Sequence, residues 1–166
     1  MLSIPYYPIE IHLYSKKYIA FWYTDLQDGV LVDEHNKLII FRCFEEANMY
    51  SSSKHLQVDF TETIKYDFDI LGNWLLNPIG QTVDCQGFLN LWNLTIDIAY
   101  SCQLKFLGNL QDELTNIIYD KLFYGNNLPC VTPKGKLYKP IWTKEELDYL
   151  VKVMENVVFI IEKVCL

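Results

Sequence analysis

Glycine and proline are scarce in this chain, at 7 and 6 of 166 residues. That scarcity excludes collagen-like and low-complexity chains. Histidine is scarcer still: His12, His35 and His55 are the only three. None stands at metal-site spacing, and no Cys-x-x-Cys pair accompanies them. Neither a metal nor an organic cofactor is therefore expected. A glycine-rich phosphate loop, a Gly-x-Ser-x-Gly elbow and an EF-hand loop are also missing, so no catalytic motif points to an enzyme. Basic residues fall short of acidic ones, 14 against 21, for a net charge of −7. A nucleic-acid binder needs a basic face to displace counterions, so nucleic acid is not an expected partner. The longest apolar-leaning run, Cys85 to Cys102, is interrupted by Gln86, Asn90, Asn93 and Asp97. It reads as a buried helix, not a membrane span. The start, Met1 to Pro8, lacks the basic and apolar regions of a signal peptide. Five widely spaced cysteines, an odd number, suit reduced thiols in the cytoplasm.

What is present is apolar and aromatic: 51% hydrophobic residues, with 12 Tyr, 9 Phe and 4 Trp. Such a composition excludes disorder, and the length suits a single domain, 1–166. The first sixty residues read as strands. Ile9 to Tyr14 alternates, and Tyr18 to Thr24 is apolar on both faces, as a central strand is. Val30–Val32 and Lys37–Phe41 flank the polar turn Asp33-Glu34-His35-Asn36, the pattern of a hairpin. Phe44 to Tyr50 reads as a short helix.

Near residue 60 the period lengthens toward 3.6. Asp59-Phe60-Thr61-Glu62 has capping-box spacing, which predicts a helix running to Leu76. A central helix is expected over about 87–103 and another from Asn109, with Gly125 as its left-handed stop. Thr143-Lys144-Glu145-Glu146 is a second capping box, opening a final helix with apolar residues from Leu147 to Val164. The expected fold class is α+β: a small N-terminal antiparallel sheet with one helix (1–58), then a larger helical part (59–166).

Charge is uneven along this plan. Residues 1–60 carry 5 basic and 8 acidic groups, residues 61–127 carry 3 and 8, and residues 128–166 carry 6 and 5. The acidic excess lies in the sheet region and the middle helices. Asp67-Phe68-Asp69 matches the Asp-x-Asp metal motif of sugar-nucleotide transferases, but the alternating β-α pattern of those enzymes is missing, so metal binding is not expected there. A catalytic site assembled from distant Cys, His or carboxylate residues is the alternative reading, and a non-catalytic adaptor subunit is a third.

The acidic and aromatic profile, the many Tyr and Asn residues and the strand Lys17-Tyr18-Ile19-Ala20-Phe21-Trp22-Tyr23 resemble the immunity proteins of bacterial toxin systems, especially contact-dependent growth inhibition. The resemblance implies a cytoplasmic, non-enzymatic inhibitor. Its partner would be the cognate toxin C-terminal domain, often a basic nuclease, whose active site it blocks. Carboxylates in polar turns of the sheet are the expected contacts: Asp25, Asp28, Asp33 and Glu34, with Tyr23 and His35 as anchors. Asp112, Glu113 and Asp120 on the middle helices form a second set, although the first two also suit a helix start for stability alone.

Overall fold

The computed structural model describes residues 4–166. Met1, Leu2 and Ser3, part of the stretch read above for its lack of a leader, lie outside the described residues. Strands β1 (Tyr6–Leu13), β2 (Lys16–Tyr23) and β3 (Gly29–Val30) precede helix α1 (Phe44–Ser53). Strand β4 (Ile64–Asp67) and helices α2 (Asp69–Leu75), α3 (Cys85–Ser101), α4 (Glu113–Gly125) and α5 (Lys144–Cys165) follow. The α+β class holds, with four helices after a sheet and one helix.

The sheet order is β3-β2-β1-β4. β1 and β2 pair antiparallel, with Ile9 opposite Ala20 and Tyr7 opposite Trp22. The purely antiparallel expectation is corrected at β4, which runs parallel to β1 and sets Ile64 beside Ile9 and Asp67 beside His12. The long helix expected from residue 60 is corrected with it. Asp59 does not cap a helix; its carboxylate accepts from the Thr61 N–H and hydroxyl at 2.9 and 2.7 Å. This side-chain turn takes the place of the capping box. The chain then lies along β1 before α2 begins. The 30–41 hairpin exists in loose form, with Ile39 N–H donating to Leu31 C=O at 3.1 Å and a bridge between Val32 and Leu38.

Alternation along the strands gives the sheet two different faces. Ile9, Ile11, Leu13 and Ala20 enter one buried cluster with Leu71, Trp92, Ile98, Leu122, Met154 and Ile161 from all four later helices. Ile19 and Phe21, on the other face, join Phe41 and Ala47 of the α1 side in a small second cluster. α1 therefore covers only part of its face. Beyond it, Glu10, His12 and Lys17 stand on open sheet, with Glu10 hydrogen-bonded to His12 and 3.3 Å from Lys17.

The tight β1–β2 turn has Tyr14 and Ser15 at φ +53° and +59°. Two non-glycine residues in the left-handed region are strained. Asp69, at the start of α2, accepts from both their N–H groups at 2.6 and 2.9 Å. The Tyr14 hydroxyl also donates to Glu162 of α5. Asp67 accepts from the Asp69 N–H at 3.1 Å. Asp69 thus ties the hairpin to α2, and Tyr14 ties it to α5.

α3 is the central helix, buried at Phe88, Leu91, Trp92, Leu94, Thr95 and Ile98. Asp112 caps α4, its carboxylate accepting from the Thr115 N–H at 2.8 Å. Gly125 is corrected from a left-handed stop to the last helical residue; Asn127, at φ +51°, takes the left-handed position. The Thr143–Glu146 capping box forms as expected. Among the described residues no helix is long and apolar enough to cross a membrane.

Candidate functional site

The interrupting residues of α3, Gln86, Asn90, Asn93 and Asp97, recur at helical spacing of four, three and four. They fall on one stripe of an otherwise apolar helix. Three of the four open into one hollow. Asn90, Asn93, Leu94, Ile96 and Asp97 of α3 form one wall of it, with Trp22 of β2, Tyr66 of β4, Tyr119 of α4 and Asp28 completing the lining. Its volume is about 390 Å³.

The strands place Trp22 and Tyr66 there through register. Trp22 is opposite Tyr7 and Tyr66 is beside Ile11, so both rings stand on the face turned toward α3. The Trp22 indole N–H donates to Asp97 Oδ2 at 2.8 Å. Tyr119 donates its hydroxyl to Asn93 Oδ1 at 2.8 Å. Gly29 lets the β2–β3 connection fit beside this wall: a Cβ there would come within 2.6 Å of the Tyr23 and Ser101 hydroxyl oxygens.

The hollow is electrically one-sided. Burial pushes the Asp97 carboxyl above the ordinary aspartate value, and the neighbouring Asp28 charge pushes it further, against the opposing pull of the indole hydrogen bond. The Tyr66 hydroxyl is raised too, by burial and by Asp97. Neither Asp28 nor Asp97 takes part in any ion pair among the described residues. Trp22 and Tyr66 also line an adjoining apolar hollow of 290 Å³ with Tyr7, Pro8, Ile9 and Ile64.

The six residues singled out from the sequence separate in space. Asp28 lines the hollow with Asp97. Asp25 is exposed on the β2–β3 loop. Asp33 holds its own turn, accepting from the N–H groups of His35 and Lys37 at 2.8 and 2.9 Å, bonds that hold its carboxyl below the usual range. It and Glu34 line a shallow depression with Tyr50 and Lys54. Glu34 Oε1 and His35 Nε2 are 3.5 Å apart on the surface. Tyr23 packs edge-on against Tyr6 at 5.7 Å, so it belongs to the sheet more than to the turn. Of the second set, Asp112 is occupied as a cap, while Glu113 and Asp120 are exposed.

Packing mutes three of the five cysteines. Burial raises the thiols of Cys85 and Cys102 and pushes Cys165 up to about 12, which favours the unreactive protonated form. No group of three or more His, Cys, Asp or Glu side chains gathers at metal-binding distance among the described residues. A longer groove of about 700 Å³ runs between the α2–α3 and α4–α5 connections, lined by Ile79, Asp84, Cys85, Asn127, Tyr138 and Trp142 among others. No protein-family model, curated protein or solved structure matches the chain.

Proposed function

We propose that this chain is an immunity protein of the contact-dependent growth inhibition type, a cytoplasmic, non-enzymatic inhibitor. It binds the basic C-terminal domain of a cognate toxin and covers that domain's active site. One observation carries the reading: Asp28 and Asp97 face an open aromatic hollow without a cationic partner from the described chain, and Asp28 shares its loop with the exposed Asp25. A protein that left these charges unpaired for its own stability would gain nothing from them, because a buried carboxylate without a cation is a cost. A basic partner turns the cost into attraction. Its nucleic-acid-binding surface must be positive, so an acidic protein both reaches it quickly and occupies it.

The reading expects the adjacent gene to encode a large secreted protein, and the test uses the C-terminal domain of that product. Purified chain and toxin domain should form a complex whose association slows as salt is raised. Expression of the chain should rescue growth of cells producing the toxin domain. Absence of both complex and rescue would overturn the reading.

A further inference from the structure

We propose that the hollow between β2, β4, α3 and α4 is a receptor for one arginine side chain presented by the protein partner, with Asp28 and Asp97 pairing the guanidinium and Trp22, Tyr66 and Tyr119 flanking its plane. This rests on the reading above for the partner's identity, but the receptor itself is a property of this chain.

The lining selects the ligand by chemistry. Two carboxylates demand a cation. Of the four Asp97 and Asp28 carboxylate oxygens, Asp97 Oδ2 alone takes a hydrogen bond among the described residues, from the Trp22 indole. The remaining acceptors suit a group with several N–H donors in a fork. Three aromatic side chains in the same wall suit a cation that is flat and weakly hydrated. Guanidinium has both properties, and ammonium has neither. A hard metal ion is a poor fit, because calcium wants six to eight oxygen ligands and much of this wall is aromatic or aliphatic. The adjoining apolar hollow, which shares Trp22 and Tyr66, gives room for an apolar neighbour of the arginine on the same partner segment. The raised Asp97 carboxyl fits the same picture: burial and a like charge oppose its ionisation, and an arriving cation relieves both.

The probe is the blocked tripeptide acetyl-Gly-Arg-Gly-amide, titrated into the full chain labelled with ¹⁵N. Its citrulline analogue, equal in shape but uncharged, and its lysine analogue serve as comparisons. The reporter is the Trp22 indole N–H resonance, assigned with Trp22→Phe. Saturable movement in the millimolar range is expected for arginine, with binding weaker by about tenfold for citrulline and intermediate for lysine. Asp28→Asn, on an exposed loop, should weaken arginine binding several-fold, and Asp28→Asn with Asp97→Asn should abolish it. If the double variant fails to fold, the single loop variant still decides. No saturable movement, equal response to arginine and citrulline, or unaltered binding by Asp28→Asn would each overturn the assignment. The toxin domain separates the two claims. Tight binding of both wild type and double variant would leave the immunity reading standing and remove the arginine receptor. No toxin binding by wild type, with arginine-selective titration intact, would do the reverse.

Discussion

Glu146 and Asp97 are both carboxylates drawn partly out of water by packed helices, and they move in opposite directions. Glu146 lies where α4 meets α5. Its Oε2 is 2.6 Å from Lys121 Nζ and accepts from the Thr143 N–H at 2.8 Å. Burial resists its ionisation, but the Lys121 hydrogen bond, the Thr143 bond and the Lys121 charge together hold it below the ordinary glutamate value of 4.5. Asp97 lies where α3 meets the sheet and has, among the described residues, only the neutral Trp22 indole as donor, with Asp28 opposing it. The chain neutralises the first group itself and leaves the second open. Asp69, spent on the two strained amides of the Tyr14-Ser15 turn, belongs with Glu146. The contrast separates carboxylates that build the fold from those available to a partner.

The largest effect should come from breaking the self-neutralised corner. Lys121→Met leaves Glu146 charged and poorly solvated, and should cost about 3 kcal/mol in urea unfolding at neutral pH. The sign with pH follows from the lowered carboxyl. Its stabilisation is complete above pH 4.5 and is lost as pH falls through the lower folded value. Glu146→Gln should therefore be less stable than wild type at neutral pH and lose less on acidification. Equal acid sensitivity in the two proteins would show that the corner is not a paired charge.

Asp69→Ala comes next, at about 1–2 kcal/mol, because it removes two charge-assisted bonds from a turn already in a disfavoured conformation. Replacing Tyr14 and Ser15 by Asn and Gly, which take that conformation without strain, should recover much of the loss in the Asp69→Ala background. If the pair gives the same change with and without Asp69, the carboxylate is not what holds the turn.

How far the sequence discloses this division depends on range. Local signals read correctly. The Thr143–Glu146 capping box is a pattern within four residues, and α3 and α5 announce themselves through apolar spacing over several turns. β4 escapes because its four residues are half exposed, and its place beside β1 depends on a pairing some 55 residues distant, Ile9 with Ile64. Asp59 misleads for the same reason: the spacing fits a cap, but its side chain finds Thr61 first. Asp97 is visible only as an interruption of an apolar run. The signal that locates it is the regular recurrence of Gln86, Asn90, Asn93 and Asp97, which marks one polar stripe on a buried helix. Its neighbours Trp22, Asp28 and Tyr66 come from other elements and can be named only after folding. Asp33, by contrast, reads in the sequence as a free turn carboxylate and is occupied by its own backbone.

Asp97→Asn should act in the opposite sense to Glu146→Gln. A raised folded value means that the native state holds the proton more tightly than the unfolded chain. Stability is then complete at low pH and falls as pH rises from the ordinary 3.8 through the folded value. The amide keeps an oxygen for the Trp22 indole and removes the charge. Stability at neutral pH should be unchanged or up by about 0.5 kcal/mol at most, because the open hollow lets water screen the charge. The decline across that pH window should also shrink. A clear loss of stability at neutral pH would place Asp97 with Glu146 as a structural carboxylate and dissolve the contrast.

The smallest effect on the fold belongs to the exposed acids of the sheet loops, and there the contrast is sharpest. Asp25 and Glu34 are exposed, and neither is drawn out of water by packing. Asp25→Lys with Glu34→Lys should leave unfolding within about 0.5 kcal/mol of wild type. Asp33→Lys should cost more, since it removes the acceptor for two turn amides. For a basic partner the order reverses. Reversing Asp25 and Glu34 changes the field that steers encounter, so association should slow and its dependence on salt should weaken, with dissociation little changed. Asp33 contributes to the same field but also shapes its loop, so its reversal should alter dissociation as well. Stopped-flow association at low and moderate salt, beside urea unfolding of the same variants, reads both quantities. If Asp25→Lys with Glu34→Lys leaves both the association rate and its salt slope unaltered, the loop acids lie outside the interface, and the expected contacts become Glu113 and Asp120 of α4, which stand exposed on the helix that carries Tyr119.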